Sequence, residues 1–525
     1  MNTKIMNRLN SKKTLPFIIA VALTLTLFVG LMAPAGAATV TTQLNFSTNP
    51  ADDSGDGWTW VQGTKTLTLN NLDQVYDGSS GCATRPAIHL PADSTLRLTG
   101  NSSVNNTNGT GINASGNLTI EGNGRVSITA LNPNGASRGI RALDSVTINS
   151  TVSIISRNNG IEAANSVTID GGTVTINSTY YCGIDAGDVT INGGTVSIMS
   201  YDEGIYADDG PVTINGGTVT IDAPGDVGIY TNDDSVIINS GTVSITSYYE
   251  GIEADEDVII SGGTVTINST NDAGIDAADN VIISNGTVSI TSHYEGICAD
   301  NVIISGGTVT INSENEGIYA YDVTISGGMI SIITSYYEGI GADNVTITGG
   351  SGLIKTSRTS DGIWAVMCSD NLDVDDSIPV KGWSGTGYTV PVFVDFVYSD
   401  NYGDDYETFV SYGGTPMKNI WFGDGAPSGG GGGGSSTGQA TIVEGNKPAN
   451  TQPTQPVTPQ PETPQPETPQ PETNNRNTDT EQTTDDNSQN SDTGGSNSML
   501  ILGLLLLAVL ILAAGFFLYS KYGKK

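Results

Sequence analysis

From Asn158 to Ile354 the chain contains no lysine and no arginine, while the same stretch carries 27 aspartates and glutamates. Net charge over all 525 residues is −35. Nucleic acid is excluded as a partner of this region, because nothing there can neutralise phosphates. Sites that hold anionic sugars with arginine or lysine are excluded from the same coils. Histidine is scarce too: His89 and His293 are the only two, and neither lies near a nucleophile motif. The cysteines number four, Cys82, Cys182, Cys298 and Cys368. Gly-Gly-x-Gly-x-Asp never occurs, which argues against a calcium-binding nonapeptide roll.

What is present is a repeat. Gly-Ile-x-Ala, a few residues, then (V/I)-x-I-x-G-G-T-V-(T/S)-I recurs with Gly-Ile at Gly111, Gly139, Gly160, Gly183, Gly204, Gly228, Gly251, Gly274, Gly296, Gly317, Gly339 and Gly362. After the first pair the spacing is 21 to 24 residues, a period that marks a solenoid with one coil per repeat. In Gly251 to Tyr294, Val258 and Ile260 face one way, as do Val265 and Ile267, and Ile252 adds a third inward residue. Gly262-Gly263 supplies the positive φ angles of a tight corner. Three short strands and three corners per coil describe an all-β fold, a parallel β-helix of about twelve coils and roughly 55 Å. Right-handedness follows from the crossover preference of parallel strands. Cys182 and Cys298, five coils or roughly 24 Å apart, cannot form a disulfide and are expected as free or outward thiols. Cys82 and Cys368 stay open.

The ends set the expected organisation. Residues 1–38 read as a secretory signal peptide, with Lys4, Arg8, Lys12 and Lys13 before an apolar run and cleavage expected after Ala37 or Ala38. Residues 39–110, with Gly57-Trp58-Thr59-Trp60 and Thr66-Leu67-Thr68-Leu69, suit a strand-rich N-terminal cap. Repeats fill 111–364 and a C-terminal β cap 365–427. Residues 428–498 hold a glycine run and a Pro-Gln-Pro-Glu-Thr repeat, a composition that cannot bury enough surface to fold and is expected to act as a stalk. Met499 to Tyr519 is apolar for 21 residues, roughly 31 Å as a helix, and reads as a single transmembrane span. Lys521, Lys524 and Lys525 place the 520–525 tail in the cytoplasm and the ectodomain outside. Ser491-Asp492-Thr493-Gly494-Gly495 is similar to a wall-sorting signal but lacks its Leu-Pro pair.

The outward positions carry the candidate chemistry. Immediately before Gly-Ile stand Glu203, Glu250, Glu295, Glu316, Glu338 and Asp361, interrupted by Cys182, Val227 and Ala273. Two after the Gly stand Glu162, Asp185, Glu253 and Asp276, and further along Asp188, Asp208, Asp255, Asp279, Asp300, Asp322 and Asp343. Like charges stacked about 4.8 Å apart raise one another's pKa or demand a cation. Calcium, with its taste for carboxylate oxygens, is the expected cofactor, with Glu203, Glu250, Glu253, Asp276, Glu295, Glu316, Glu338 and Asp361 as ligands. A solvated acidic edge is the plain alternative. Three residues before Gly-Ile stand Tyr201, Tyr248, His293 and Tyr336, followed by Tyr249, Tyr294 and Tyr337, while the intervening coils carry Gly225, Asn271 and Glu314. This double-coil recurrence, roughly every 9.6 Å, offers flat faces suited to pyranose rings.

The phrase Y-Y-E-G-I-E-A-D-E-D-V-I-I-S-G-G-T-V-T-I resembles the repeat of a family of surface carbohydrate-binding β-helix proteins, and Gly57 to Asn70 with Ala87-Ile88-His89-Leu90 resembles its entry segment. The resemblance covers about residues 50 to 365. It implies a right-handed parallel β-helix akin to family 9 pectate lyases, calcium binding and, in one branch, binding of acidic pectic polysaccharide. This chain has Glu where the family favours Asp before Gly-Ile. The expectation is a non-catalytic, membrane-anchored monomer that binds polysaccharide, acidic polymers included, through calcium. An adhesin or structural stalk is the second reading. A polysaccharide lyase or hydrolase is the third, disfavoured because a lyase needs a strong base and the coils from Asn158 to Ile354 offer none.

Overall fold

The computed structural model describes residues 39–77, 85–132, 137–357, 364–375, 377–383, 408–409, 411–412 and 415–424. The signal peptide, stalk, membrane span and basic tail expected from the sequence lie outside the described residues, among which no helix is long and apolar enough to cross a membrane. The chain folds as an all-β solenoid of right-handed type with about twelve turns. One coil consists of a short strand such as Ile252–Ala254, a middle strand such as Val258–Ile260 and a long strand such as Thr264–Ser269. Each pairs in parallel with its counterpart one coil on, Ile252 with Ile275, Val258 with Val281 and Val265 with Val288.

Alternation within each strand produces the core. Ile140, Ile161, Ile184, Ile205, Ile229, Ile252, Ile275, Ile297, Ile318 and Ile340 are all fully buried, as are Val258, Ile260 and Val265. Each such side chain contributes about 1.5–3 kcal/mol when taken out of water, but only once a neighbouring coil covers it.

The glycines have two different causes. In the Gly-Gly corner only the second residue needs a left-handed backbone: Gly263 has φ +81° and Gly241 +95°. Ser240 and Asn285 replace the first glycine without strain. The glycine of Gly-Ile is there for space. A Cβ on Gly251 would sit 2.2 Å from Ile267 Cγ2 and 2.7 Å from the Gly274 carbonyl oxygen.

The twelfth coil departs from the expected phrase. Val366 pairs with Ile340, so Ala365 and Val366, and not Gly362 and Ile363, occupy the Gly-Ile place. Both ends turn antiparallel. Asp53–Gly55, Trp58–Val61 and Thr66–Leu69 form a meander at the start, with Phe46 stacked on the buried Trp60 at 4.7 Å. Asn419–Phe422 runs antiparallel to Gly352–Lys355 at the other end and occupies its open edge.

Candidate functional site

The candidate surface is the corner between the long strand and the next Gly-Ile, together with the short strand that follows. A buried hydroxyl opens nearly every corner. Ser247 Oγ donates to the Tyr249 carbonyl at 3.0 Å, Ser269 Oγ to the same carbonyl at 2.6 Å and to that of Asp272 at 2.8 Å, and Thr334 Oγ1 to the Tyr337 carbonyl at 2.6 Å. Between this hydroxyl and the glycine the corner has two lengths. Three residues fill 201–203, 248–250, 293–295 and 314–316; four fill 179–182, 224–227, 270–273 and 335–338.

That difference explains the interruptions in the glutamate row. The last residue of a short corner leaves its side chain half-buried at the surface, as in Glu203, Glu250, Glu295 and Glu316. The last residue of a long corner keeps the same register, with Gly204 N donating to the Val227 carbonyl as Gly183 N does to that of Glu203, but in three of them it is small or apolar: Cys182, Val227 and Ala273 are all buried. Glu338 stands at such a long-corner position and is also buried, apart from the surface glutamates. Asp361 lies outside the described residues, and Trp364 precedes Ala365 in that coil. Glu250 and Glu295 are therefore separated by a whole coil, and their near acidic neighbours come from the adjacent corners and the short strand: Asp272, Glu253 and Asp276 for Glu250, Glu316 and Asp276 for Glu295.

The middle position of the short strand forms a straight column: Arg141 pairs with Glu162, Glu162 with Asp185, Asp185 with Tyr206, Tyr206 with Tyr230, Tyr230 with Glu253, Glu253 with Asp276, and Asp276 with Cys298. At its N-terminal end the acids are satisfied. Arg138 bonds Glu162, Arg141 Nε reaches Glu162 Oε1 at 2.9 Å, and Asn159 Nδ2 donates to Glu162 Oε2 at 3.2 Å. Sequence reasoning missed these arginines as members of the acidic column, since they lie just before the region free of basic residues.

In the middle no base among the described residues answers the acids. Burial first, then Asp272, Glu253 and Asp276, pushes the Glu250 carboxyl up to about 7. Burial and Asp276 do the same for Glu253, also to about 7. Asp276 is raised by burial and Asp272, against a hydrogen bond from Cys298 that favours the carboxylate. Glu316 is raised by burial and by Glu295 in the adjacent coil. The cluster Glu250, Glu253, Asp272 and Asp276 offers only hard oxygen donors and so fits calcium by ligand type. Those four carboxylates bear on one another by charge; among the described residues the group whose ligand atoms converge is Cys182, Asp202 and Glu203, with one atom from each within 4.8 Å of the others. There the Cys182 thiol donates to Glu203 Oε2 at 3.1 Å, and a thiol is a poor partner for calcium.

The third acidic row is not straight. Asp322 pairs with Asn301 and Asn344 rather than with Asp300 and Asp343. This line is an asparagine ladder: Asn280 Nδ2 donates to Asp257 Oδ1 at 2.6 Å and Asn301 Nδ2 to Asn280 Oδ1 at 3.0 Å.

The corner aromatics are exposed. Tyr201, Tyr248, Tyr249, Tyr294, Tyr336 and Tyr337 all present large side chains to solvent. Tyr248 and Tyr249 meet edge to face at 4.9 Å, and His293 and Tyr294 at 5.2 Å. His293 Nδ1 also lies 3.3 Å from Glu314 Oε2. Corner length again sorts them: Tyr201, Tyr248 and His293 open short corners, whereas Tyr336 sits second in a long one, the place Tyr180 takes in 179–182. Tyr180 and Tyr181 are as exposed as the tyrosines read from the sequence. Arg157 stacks over the Tyr180 ring at 4.2 Å. Tyr206 and Tyr230 were equally unread, and the signal for them is the variable residue of Gly-Ile-x-Ala.

Among the described residues Cys182, Cys298 and Cys368 are free thiols. Cys182 is buried at the end of a long corner, with its thiol on Glu203, and burial pushes the Cys368 thiol up to about 12. Cys82 lies outside the described residues.

No curated protein and no solved structure matches the chain. Residues 81–228 and 222–376 each match the model of a family described as carbohydrate-binding domain-containing proteins. Those two matches run over the coils that carry the acidic column and the exposed aromatics, and cover more than half of the 525 residues. The chain belongs to the carbohydrate-binding domain-containing protein family.

Proposed function

We propose that this protein is a non-catalytic, membrane-anchored receptor for polysaccharide at the cell surface, and that calcium on its middle carboxylates takes part in binding. The observation that carries the reading is the juxtaposition, on the family's own coils, of exposed tyrosines with carboxylates that have no basic partner among the described residues. Tyrosine rings offer apolar faces to pyranose rings, and parallel coils hold them at fixed spacing along an axis that a polymer can follow. Calcium at Glu250, Glu253, Asp272 and Asp276 would neutralise the cluster and, by bridging, let an acidic protein hold an acidic polymer. The non-catalytic part rests on the family and on the arginines nearest the acids, which are occupied by Glu162. Screening the full-length protein against a glycan array, with and without calcium, tests the reading. Binding of extended polysaccharides that strengthens with calcium supports it, and an array silent in both conditions removes it.

A further inference from the structure

Two tyrosines stand on the rigid short strands rather than at the corners. Tyr206 and Tyr230 pair directly across adjacent coils, with ring centroids 5.5 Å apart and planes tilted by 41°. Both are half-buried, and both hydroxyls are tied sideways: Tyr206 Oη donates to Asp208 Oδ1 at 2.8 Å, and Tyr230 Oη to Asn232 Oδ1 at 3.2 Å. Strand backbone below and a hydrogen bond at the tip hold each ring in place before any ligand arrives. Neither is needed by the coil itself, because the same column accepts Gly341 and Cys298. Carboxylates lie on both sides, Asp185 one coil before and Glu253 one coil after.

We infer that the Tyr206–Tyr230 pair is a stacking subsite for uncharged pyranose units of a polysaccharide, working without a metal ion. The inference rests on the polysaccharide-binding reading above and adds a place and a ligand class to it. Two rings one coil apart, about 4.8 Å, give a platform on which a sugar face can lie along the solenoid axis. The flanking carboxylates accept hydrogen bonds from sugar hydroxyls. They also set the class, since the charges that bear on the two hydroxyls are all acidic: Asp208 and Asp185 on Tyr206, and Asp255, Glu253, Glu203 and Asp233 on Tyr230. A uronate or sulfated unit would bring a like charge into that surround, whereas a hydroxyl-only sugar meets acceptors alone. Arg138, the base that bears on Asp185, is already bonded to Glu162.

The test is binding of the full-length protein, in calcium-free buffer, to four soluble neutral polysaccharides of different backbone (glucan, mannan, xylan and galactan) and to polygalacturonate. At least one neutral polymer should bind and polygalacturonate should not. Tyr206→Ala and Tyr230→Ala should each weaken the neutral polymer about threefold to tenfold, the range of one aromatic contact, without lowering the melting temperature. Tyr206→Phe, which keeps the ring and loses its tie to Asp208, should retain more binding than Tyr206→Ala. Tyr319→Ala, an exposed tyrosine of the same column between Cys298 and Gly341, should also leave binding unchanged. Neutral binding indifferent to Tyr206→Ala and Tyr230→Ala would overturn the subsite and leave polysaccharide binding standing. So would retention of polygalacturonate with calcium but of no neutral polymer without it. Retention of no polymer in either buffer would overturn both.

Discussion

Glu162 and Asp185 pair across adjacent coils in the same column, and with the same register, as Glu253 and Asp276. Backbone geometry is shared; company is not. Arg138 and Arg141 meet Glu162, and Arg138 draws the Asp185 carboxyl down against the larger effect of burial. The charges that bear on Glu253 and Asp276 among the described residues are all acidic, and Glu253 is pushed up to about 7. A solenoid thus fixes where charges sit and leaves to the variable residues whether they are satisfied internally or left for something that arrives. The first pair is structural in effect, and the second is where a cation or a proton has most to gain.

The largest effect expected from this contrast is a difference of sign. Glu162→Gln strands two half-buried guanidinium groups and should destabilise the protein by about 1–3 kcal/mol. Glu253→Gln removes a repelled charge and should raise the melting temperature at pH 8 in calcium-free buffer. Thermal unfolding of the two variants checks this, and shifts of the same sign would erase the distinction between the clusters.

Titration sharpens the comparison next. Glu250 and Glu253 sit at about 7 in the folded protein against an ordinary 4.5, so between those values the folded chain holds more protons than the unfolded one. Their stabilising contribution is complete below about pH 4.5 and is lost as pH rises through about 7. Without metal, the melting temperature should fall from pH 5 to pH 8, and the Glu250→Gln/Glu253→Gln double variant should flatten that fall. Calcium works in the opposite direction. It should raise the melting temperature by mass action, more at pH 8 than at pH 5, and Glu250→Gln should weaken the response more than Glu338→Gln, since Glu338 is buried in a long corner. A melting curve unmoved across millimolar calcium would leave the acids as a solvated edge.

The inward half of every coil was readable because one side chain type recurs at one place: Ile252, Val258, Ile260, Val265 and Ile267 are buried as their alternation demands. The family resemblance was readable for the same reason, since Gly-Ile-x-Ala and Gly-Gly-Thr-Val-Thr-Ile are the residues with the least freedom. The outward half was less so. Counting back from Gly251 or Gly339 places Glu250 and Glu338 at one register position, but it does not show that Glu338, in the longer corner, is buried while Glu250 stays half-buried at the surface. Arg138 and Arg141 escaped notice because linear sequence separates them from acids that stacking brings beside them. Asp322 was matched to the wrong neighbours because it stands two residues after Ala320, whereas Asp300 and Asp343 stand one residue after Ala299 and Ala342.

Retention of the full-length protein on immobilised pectin, cellulose and host-type glycans, with calcium present, tests the central claim most directly. The account predicts that at least one polymer retains the protein, and that long chains bind more tightly than disaccharides because several coils engage at once. Tyr248→Ala and Tyr336→Ala should each weaken that retention by severalfold while the fold stays intact. Passage of the folded protein through every column would contradict polysaccharide binding and leave a structural stalk.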